Sequence, residues 1–327
     1  MKKNIQSCCF TICILLLGIV STAAQTTTRN FDRVMVMPFE NTTKKAEFNW
    51  VGESIADSLT GLLNVPSLNV ITNDERKIVQ RRLNMPLTVL PSLATSIKLA
   101  REGKATLLVA GSYQILPETK NVAASVTIKA RVIRVNEGTF LAETLPNGRP
   151  EIREINLRDA LGNLQTIQGQ LAYQILLQHD NKSLSVSRND LIDSANKVPS
   201  QAFEAYIKGL LTPVSDQDTR ENYFKNAMRI YEGERDGALF ADAALELGHL
   251  HLNKNETQNA IAYFARIPND NSHFAEAAFY TGLIQWRKKR YDQALAVLRP
   301  LADDLKLISV YNTLGAIAVQ ASMIHKK

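Results

Sequence analysis

The sequence predicts a two-domain chain, α+β then all-α: an α/β sandwich over residues 32–180, then a solenoid of helical hairpins over residues 201–327. Three observations lead there. Short β-branched runs alternate with amphipathic helical stripes as far as residue 180. The β signal then stops. Beyond residue 201, small and large apolar residues recur at a spacing of 34.

The first part opens with "RVMVMPF" (33–39), a short apolar strand closed by Pro38. "NWVGESIADSLTGLLN" follows as a helix, with Asn49 as its cap and Val51, Ile55, Leu59, Leu62 and Leu63 on one stripe. "LNVIT" (68–72) reads as a second strand. "NDERKIVQRRL" (73–83) reads as a helix capped by Asn73, with acids in its first turn. "LPSLATSIKLAREG" (90–103) is a third helix, ended by Gly103. Two longer β runs, 105–116 and 122–135, flank the turn-rich "PETKN". In the second run Val126, Ile128, Ala130 and Val132 alternate with Thr127, Lys129 and Arg131, so one face is buried and one is wet. "GTFLAETL" (138–145) continues the meander, and residues 156–178 read as one long helix with Leu157, Leu161, Leu164, Leu171 and Ile175 inward. The Ser- and Asn-rich stretch 181–200 reads as a polar linker.

In the second part Gly248 and Gly282 are 34 apart, as are Ala260 and Ala294, and Phe264 and Leu298. Ala227 and Tyr231 precede Ala260 and Phe264 by 33. Small side chains at this spacing are expected where two helices cross closely, with the large ones filling the gaps between hairpins. Hairpins or partial hairpins are expected near 201–234, 241–274 and 275–306, and a single helix at 308–323 closes the stack.

The first 24 residues differ from the rest. Lys2 and Lys3 precede the apolar run "CCFTICILLLGIV" (8–20), and "STAA" supplies small residues for cleavage near Ala24. The run is short for ~30 Å of hydrocarbon. A Sec-type signal peptide and a periplasmic or secreted chain are therefore expected. All three cysteines (Cys8, Cys9 and Cys13) lie in that segment, so the mature chain is expected to use neither disulfides nor thiolate chemistry. Without Lys2 and Lys3, 36 basic residues face 32 acidic ones, a net of +4. That balance is too mild and too scattered to argue for nucleic acid.

Two resemblances add to this reading. The 34-residue pattern, with "RYDQALAVLRPL" (290–301) as a second helix, resembles the tetratricopeptide (TPR) family. "VMVMPFEN", "WVGESIADSLTGLL", "LNVIT", "ATLLVAGSYQIL" and "VTIKARVIRVNEGTFLAE", in that order, resemble the amino-terminal domain family shared by TolB-type and CsgG-type envelope proteins. The second resemblance implies an α/β sandwich with helices on one sheet, and interaction work outside the cytoplasm. The first implies an inner groove lined by Asp242, Leu245, His249 and Asn253, then Glu276, Phe279, Leu283, Trp286 and Arg287. An aromatic beside an arginine in a concave surface suits peptide capture.

Signals for chemistry are few. The loop "ENTTKKAEFN" (40–49) has no glycine before Gly52, so it is read as a connector and not a phosphate cradle. "KLAREGKAT" (98–106) lacks both the first glycine and the final Ser/Thr of a P-loop. His249 and His251 are two apart on a helix and point to different faces, so they cannot chelate together. Glu53 and Asp57, one turn apart, could form an acid–base pair, but a solvated helix face is the simpler reading. No catalytic residue, metal or cofactor is expected. The function expected is a non-enzymatic scaffold that holds a protein or peptide partner. An accessory of outer-membrane secretion or assembly, or a small-molecule sensor, stands as the alternative.

Overall fold

The computed structural model describes residues 32–324 apart from 88, 121, 145–149, 153, 180–183 and 306–307. The expected signal peptide lies outside the described residues.

The sheet is mixed. Its order is β3 (Leu68–Ile71), β1 (Asp32–Val36), β4 (Leu107–Leu116), β5 (Ser125–Arg134) and β6 (Thr139–Phe140), with β2 (Glu40–Asn41) beside β4 and β9 (Ile155–Ala160) beside β5. β1 runs parallel to β3 and β4, while β5 is antiparallel to β4 and β9. β7 (Ala142–Thr144) and β8 (Pro150–Ile152) form a separate two-stranded pair. Alternation along β5 buries Val126, Ile128, Ala130 and Val132 against the main core, as the pattern predicts.

Helices α1 (Trp50–Leu62) and α4 (Leu164–His179) cover one face with Ile55, Leu59, Leu171 and Ile175. Helices α2 (Asn73–Arg82) and α3 (Leu93–Glu102) pack Val79 and Leu99 against Met35, Met37, Leu108 and Ile133 on the other face. Helices therefore flank both faces of the sheet.

Three local expectations change. Residues 155–160 are strand, not the start of the long helix; the spacing of Leu157, Leu161 and Leu164 imitates a helix, but the free edge of β5 captures the segment. The cap of α2 is Thr72, which accepts from Glu75 N while the Glu75 carboxylate accepts from Thr72 N. Asn49 precedes α1 without capping it, because its side-chain oxygen accepts from Asn41 Nδ2 at 2.8 Å.

The stretch read as a polar linker carries a helix, α5 (Arg188–Ala195), started by a Ser187–Asp190 capping box. Its Leu191 is buried in the core of the sheet. Gly169 of α4 admits this contact: a Cβ there would lie 2.6 Å from Ile192 Cα.

The remaining helices pack as successive hairpins: α6 (Ser200–Leu211) on α7 (Gln217–Glu234), α8 (Ala241–Asn253) on α9 (Thr257–Phe264), and α10 (Phe274–Arg287) on α11 (Tyr291–Leu305). Helix α12 (Ile308–Ile324) lies against α11 and α10. In each hairpin a glycine of the first helix meets a large apolar side chain of the second. A Cβ on Gly209 would lie 2.5 Å from Phe224, one on Gly248 2.2 Å from Phe264, and one on Gly282 2.5 Å from Leu298. In the first hairpin, then, Phe224 and not Tyr231 meets the glycine; Tyr231 instead stacks on Phe240. No helix among the described residues is long and apolar enough to cross a membrane.

Candidate functional site

Two first helices of neighbouring hairpins, α8 and α10, bring several predicted groove residues together. His249 Nε2 lies 3.0 Å from Glu276 Oε1. His273 Nε2, just before α10, lies 3.1 Å from Asp242 Oδ1. These two imidazole–carboxylate pairs lace α8 to α10 along one strip. The His249 ring stands edge-on to Tyr280 at 4.6 Å and to Phe264 at 5.5 Å. The Asp242 carboxylate holds His273 above the usual imidazole range. The His249 bond holds Glu276 below the usual carboxylate range. Glu246, between them on α8, is pushed up by burial.

The other predicted positions fall elsewhere. Asn253 is exposed, beside a cavity of about 80 Å³ that Glu246 and His249 also line. Leu245 is buried in the helical core. Phe279 and Trp286 are half-buried against the cluster of Leu298, Val310 and Ile317, and Trp286 Nε1 donates to Gln320 Oε1 of α12 at 2.8 Å. Both pack beneath α12. Arg287 is exposed at the end of α10. His251 points away from His249, stacking on Tyr263 and pairing with Glu256 at 2.7 Å. His273 escaped sequence reasoning because it precedes its helix and so falls outside the helical spacing.

No family model matches the chain, and no curated protein matches it. Among solved structures it is similar to the LpoB carboxy-terminal domain from Salmonella enterica, at 12% identity and a TM-score of 0.28, over 40% of this chain and 83% of that one. It is also similar to lipoprotein GNA1162 from Neisseria meningitidis, at 14% identity and a TM-score of 0.30, over 46% and 99%. A third likeness is to the PelC dodecamer from Paraburkholderia phytofirmans, at 13% identity and a TM-score of 0.28, over 45% and 86%.

The strip is not isolated from the sheet region. Helix α1 packs on α6, and Lys208 Nζ stands 5.9 Å from the Trp50 ring centroid. A cavity of about 450 Å³ lies at this junction, lined by Asp57, Gln165, Phe203, Tyr206 and Asp242 among others. Asp57 accepts from Asn73 Nδ2 at 3.0 Å. Burial, with the Asp242 and Glu53 charges adding to it, pushes its carboxyl up to about 7. Glu53 is buried and paired with Arg76 at 2.8 Å. Of the two acids expected on a solvated helix face, Glu53 is buried beneath α2 and Asp57 is half-buried at the seam with the helical hairpins.

A larger cavity, about 570 Å³, lies among α9, α10 and α11, lined by Phe264, Ile267, Phe274, Ala278, Val297 and Pro300 among others. None of the predicted groove residues lines it.

Proposed function

We propose that this chain is a non-enzymatic, exported scaffold of the cell envelope that holds an extended segment of a protein partner. Its hairpin array is read as tetratricopeptide-type repeats, joined to an α/β docking region. The three glycine-to-apolar contacts at matching places in successive hairpins support the repeat reading.

The single observation that carries the function is the strip of Asp242, His249 and Glu276, completed by His273 and Tyr280. Its polar groups are ordered by mutual hydrogen bonds, so they present donors and acceptors with little freedom left to lose on binding. Backbone amides of an extended segment would exchange with the outer edges of these pairs, and Tyr280 would give an apolar contact.

The test is affinity capture from an envelope fraction with residues 25–327 as bait. A variant carrying Glu276→Gln and Arg287→Ala, both at exposed positions, serves as comparison. Loss of a defined partner from the variant, with its helical content retained and its unfolding still a single cooperative transition, is the expected result. Equal recovery of every partner by both baits removes the proposal.

A further inference from the structure

A fourth cavity, about 400 Å³, opens where the chain leaves β1 and enters α1. This is the carboxy end of a parallel strand, where open α/β sheets offer their crevices. Its volume is within the range of small-ligand sites. The walls are Pro38–Asn41, Asn49, Gly52, Tyr113 and three buried polar side chains, Glu53, Arg76 and Gln80.

These three side chains form an unusual floor. Glu53 is 9% exposed, Arg76 3% and Gln80 2%. Arg76 Nη2 donates to Glu53 Oε1 at 2.8 Å, and Nη1 donates to Gln80 Oε1 at 3.2 Å. Arg76 Nε is buried and has no acceptor among the described residues. An unmatched buried donor is costly, so native structures seldom keep one without a reason. Gln80 spends its carbonyl oxygen on Arg76, which leaves its amide hydrogens for another acceptor. The start of α1 also faces this cavity, and no side chain caps it.

The floor therefore wants acceptors, yet it carries no net positive charge. Glu53 neutralises Arg76, and exposed Glu40 adds a negative charge at the rim. A carboxylate or phosphate would meet that repulsion; a neutral carbonyl oxygen would not. The mouth is apolar. Leu87, Val89, Leu90 and Leu211 line it, and each is more than a third exposed. Exposed apolar side chains gathered around a polar floor mark a binding cleft better than a solvated surface.

We propose that this cleft binds a small neutral compound in which a carbonyl group is joined to a short branched apolar body, an acyl amide being the simplest member. The carbonyl oxygen accepts from the Arg76 and Gln80 side, and the apolar body lies among Leu87, Val89 and Leu90. This site is separate from the strip between α8 and α10, and the proposal does not rest on the groove reading.

The experiment titrates residues 25–327 with N-acetyl-leucinamide and follows backbone amide resonances. The expected result is saturable shifts at Gly52, Arg76, Gln80 and Leu90, with a Kd of about 1 mM or tighter. Leu90→Ala, on the exposed rim, and Gln80→Leu, on the floor, should each weaken binding by about 10-fold. Leu90→Ala should leave the fold and the partner recovery of the α8–α10 strip unchanged. Absence of saturation well above that concentration, or equal affinity in both variants, overturns the proposal. Equal binding of N-acetyl-leucine, with its free carboxylate, overturns the neutral class. Tighter binding of a blocked leucine-containing tetrapeptide overturns the small-compound class in favour of a partner's chain.

Discussion

Gly248 and Phe264 touch so closely that a Cβ on the glycine would stand 2.2 Å from the Phe264 ring. This contact sets the crossing of α8 on α9. Gly248→Ala should lower stability by about 1–3 kcal/mol through overpacking, even though alanine favours the helix by about 1 kcal/mol. Gly61→Ala is the comparison, because nothing lies within 4 Å of that position; it should raise stability by roughly 0.5–1 kcal/mol. Urea unfolding of both variants checks this. Equal shifts of the same sign would mean that the crossing is not tight.

The Arg76–Glu53 pair makes a second prediction. Removing one partner strands the other charge away from water. Arg76→Met should cost about 3–5 kcal/mol. Adding Glu53→Leu should recover most of that loss, because two apolar groups can replace a buried pair. Denaturant midpoints of the single and double variants decide it. A single variant as stable as the parent would show that solvent reaches the pair.

Asp57 makes a third. Its carboxyl titrates near 7 in the folded chain, against an ordinary value of 3.8. The folded state therefore holds a proton that the unfolded state has lost between those values. Stability must fall as pH rises from about 4 to about 7, then level off. Asp57→Asn keeps an oxygen for Asn73 and removes the titration. The variant should match the parent at pH 4 and exceed it at pH 8 by on the order of 1–2 kcal/mol, allowing for solvent screening at the rim. A variant less stable than the parent at pH 8 contradicts this.

His273 and Glu276 are shifted in opposite senses. His273 is raised, so its contribution is complete below the ordinary imidazole value and is lost as pH climbs through the raised value. Glu276 is lowered, so its contribution is complete above the ordinary carboxylate range and is lost as pH falls through the depressed value. The α8–α10 contact should therefore be firmest at about pH 4.5–6.5. Amide exchange in the first turn of α10, corrected for intrinsic rates, should be about 3- to 10-fold less protected at pH 8 than at pH 5.5. His273→Gln should abolish that difference. Flat protection in the parent would remove the role given to the pair.

How far the sequence could be read depended on the range of the interaction. The Gly248–Phe264 and Gly282–Leu298 contacts were legible because both members lie in one hairpin, sixteen positions apart, and the pattern repeats. Thr72 was missed as a cap only because Asn73, its neighbour, is an equally good residue type. The β9 segment was misread because its partner, β5, lies about thirty positions away and the local apolar spacing favours a helix. The burial of Glu53 and the partial burial of Asp57 were hidden for a related reason. A helix pattern shows which residues share a side, but not what later arrives to cover it; here Asp242 comes from far along the chain. The cleft at Arg76 was invisible because no motif marks a buried donor without an acceptor. The loop 40–49 itself lacks glycine, and the polar floor beneath it comes from α1 and α2.

Helix α1 is one unbroken rod of thirteen residues, about 20 Å long. Its first turn borders the Arg76 cleft, and its middle meets the helical hairpins at Asp57. Mechanically it is a lever held at two points. One backbone therefore runs from the floor of the cleft at Gly52 to the seam with Tyr206 and Asp242.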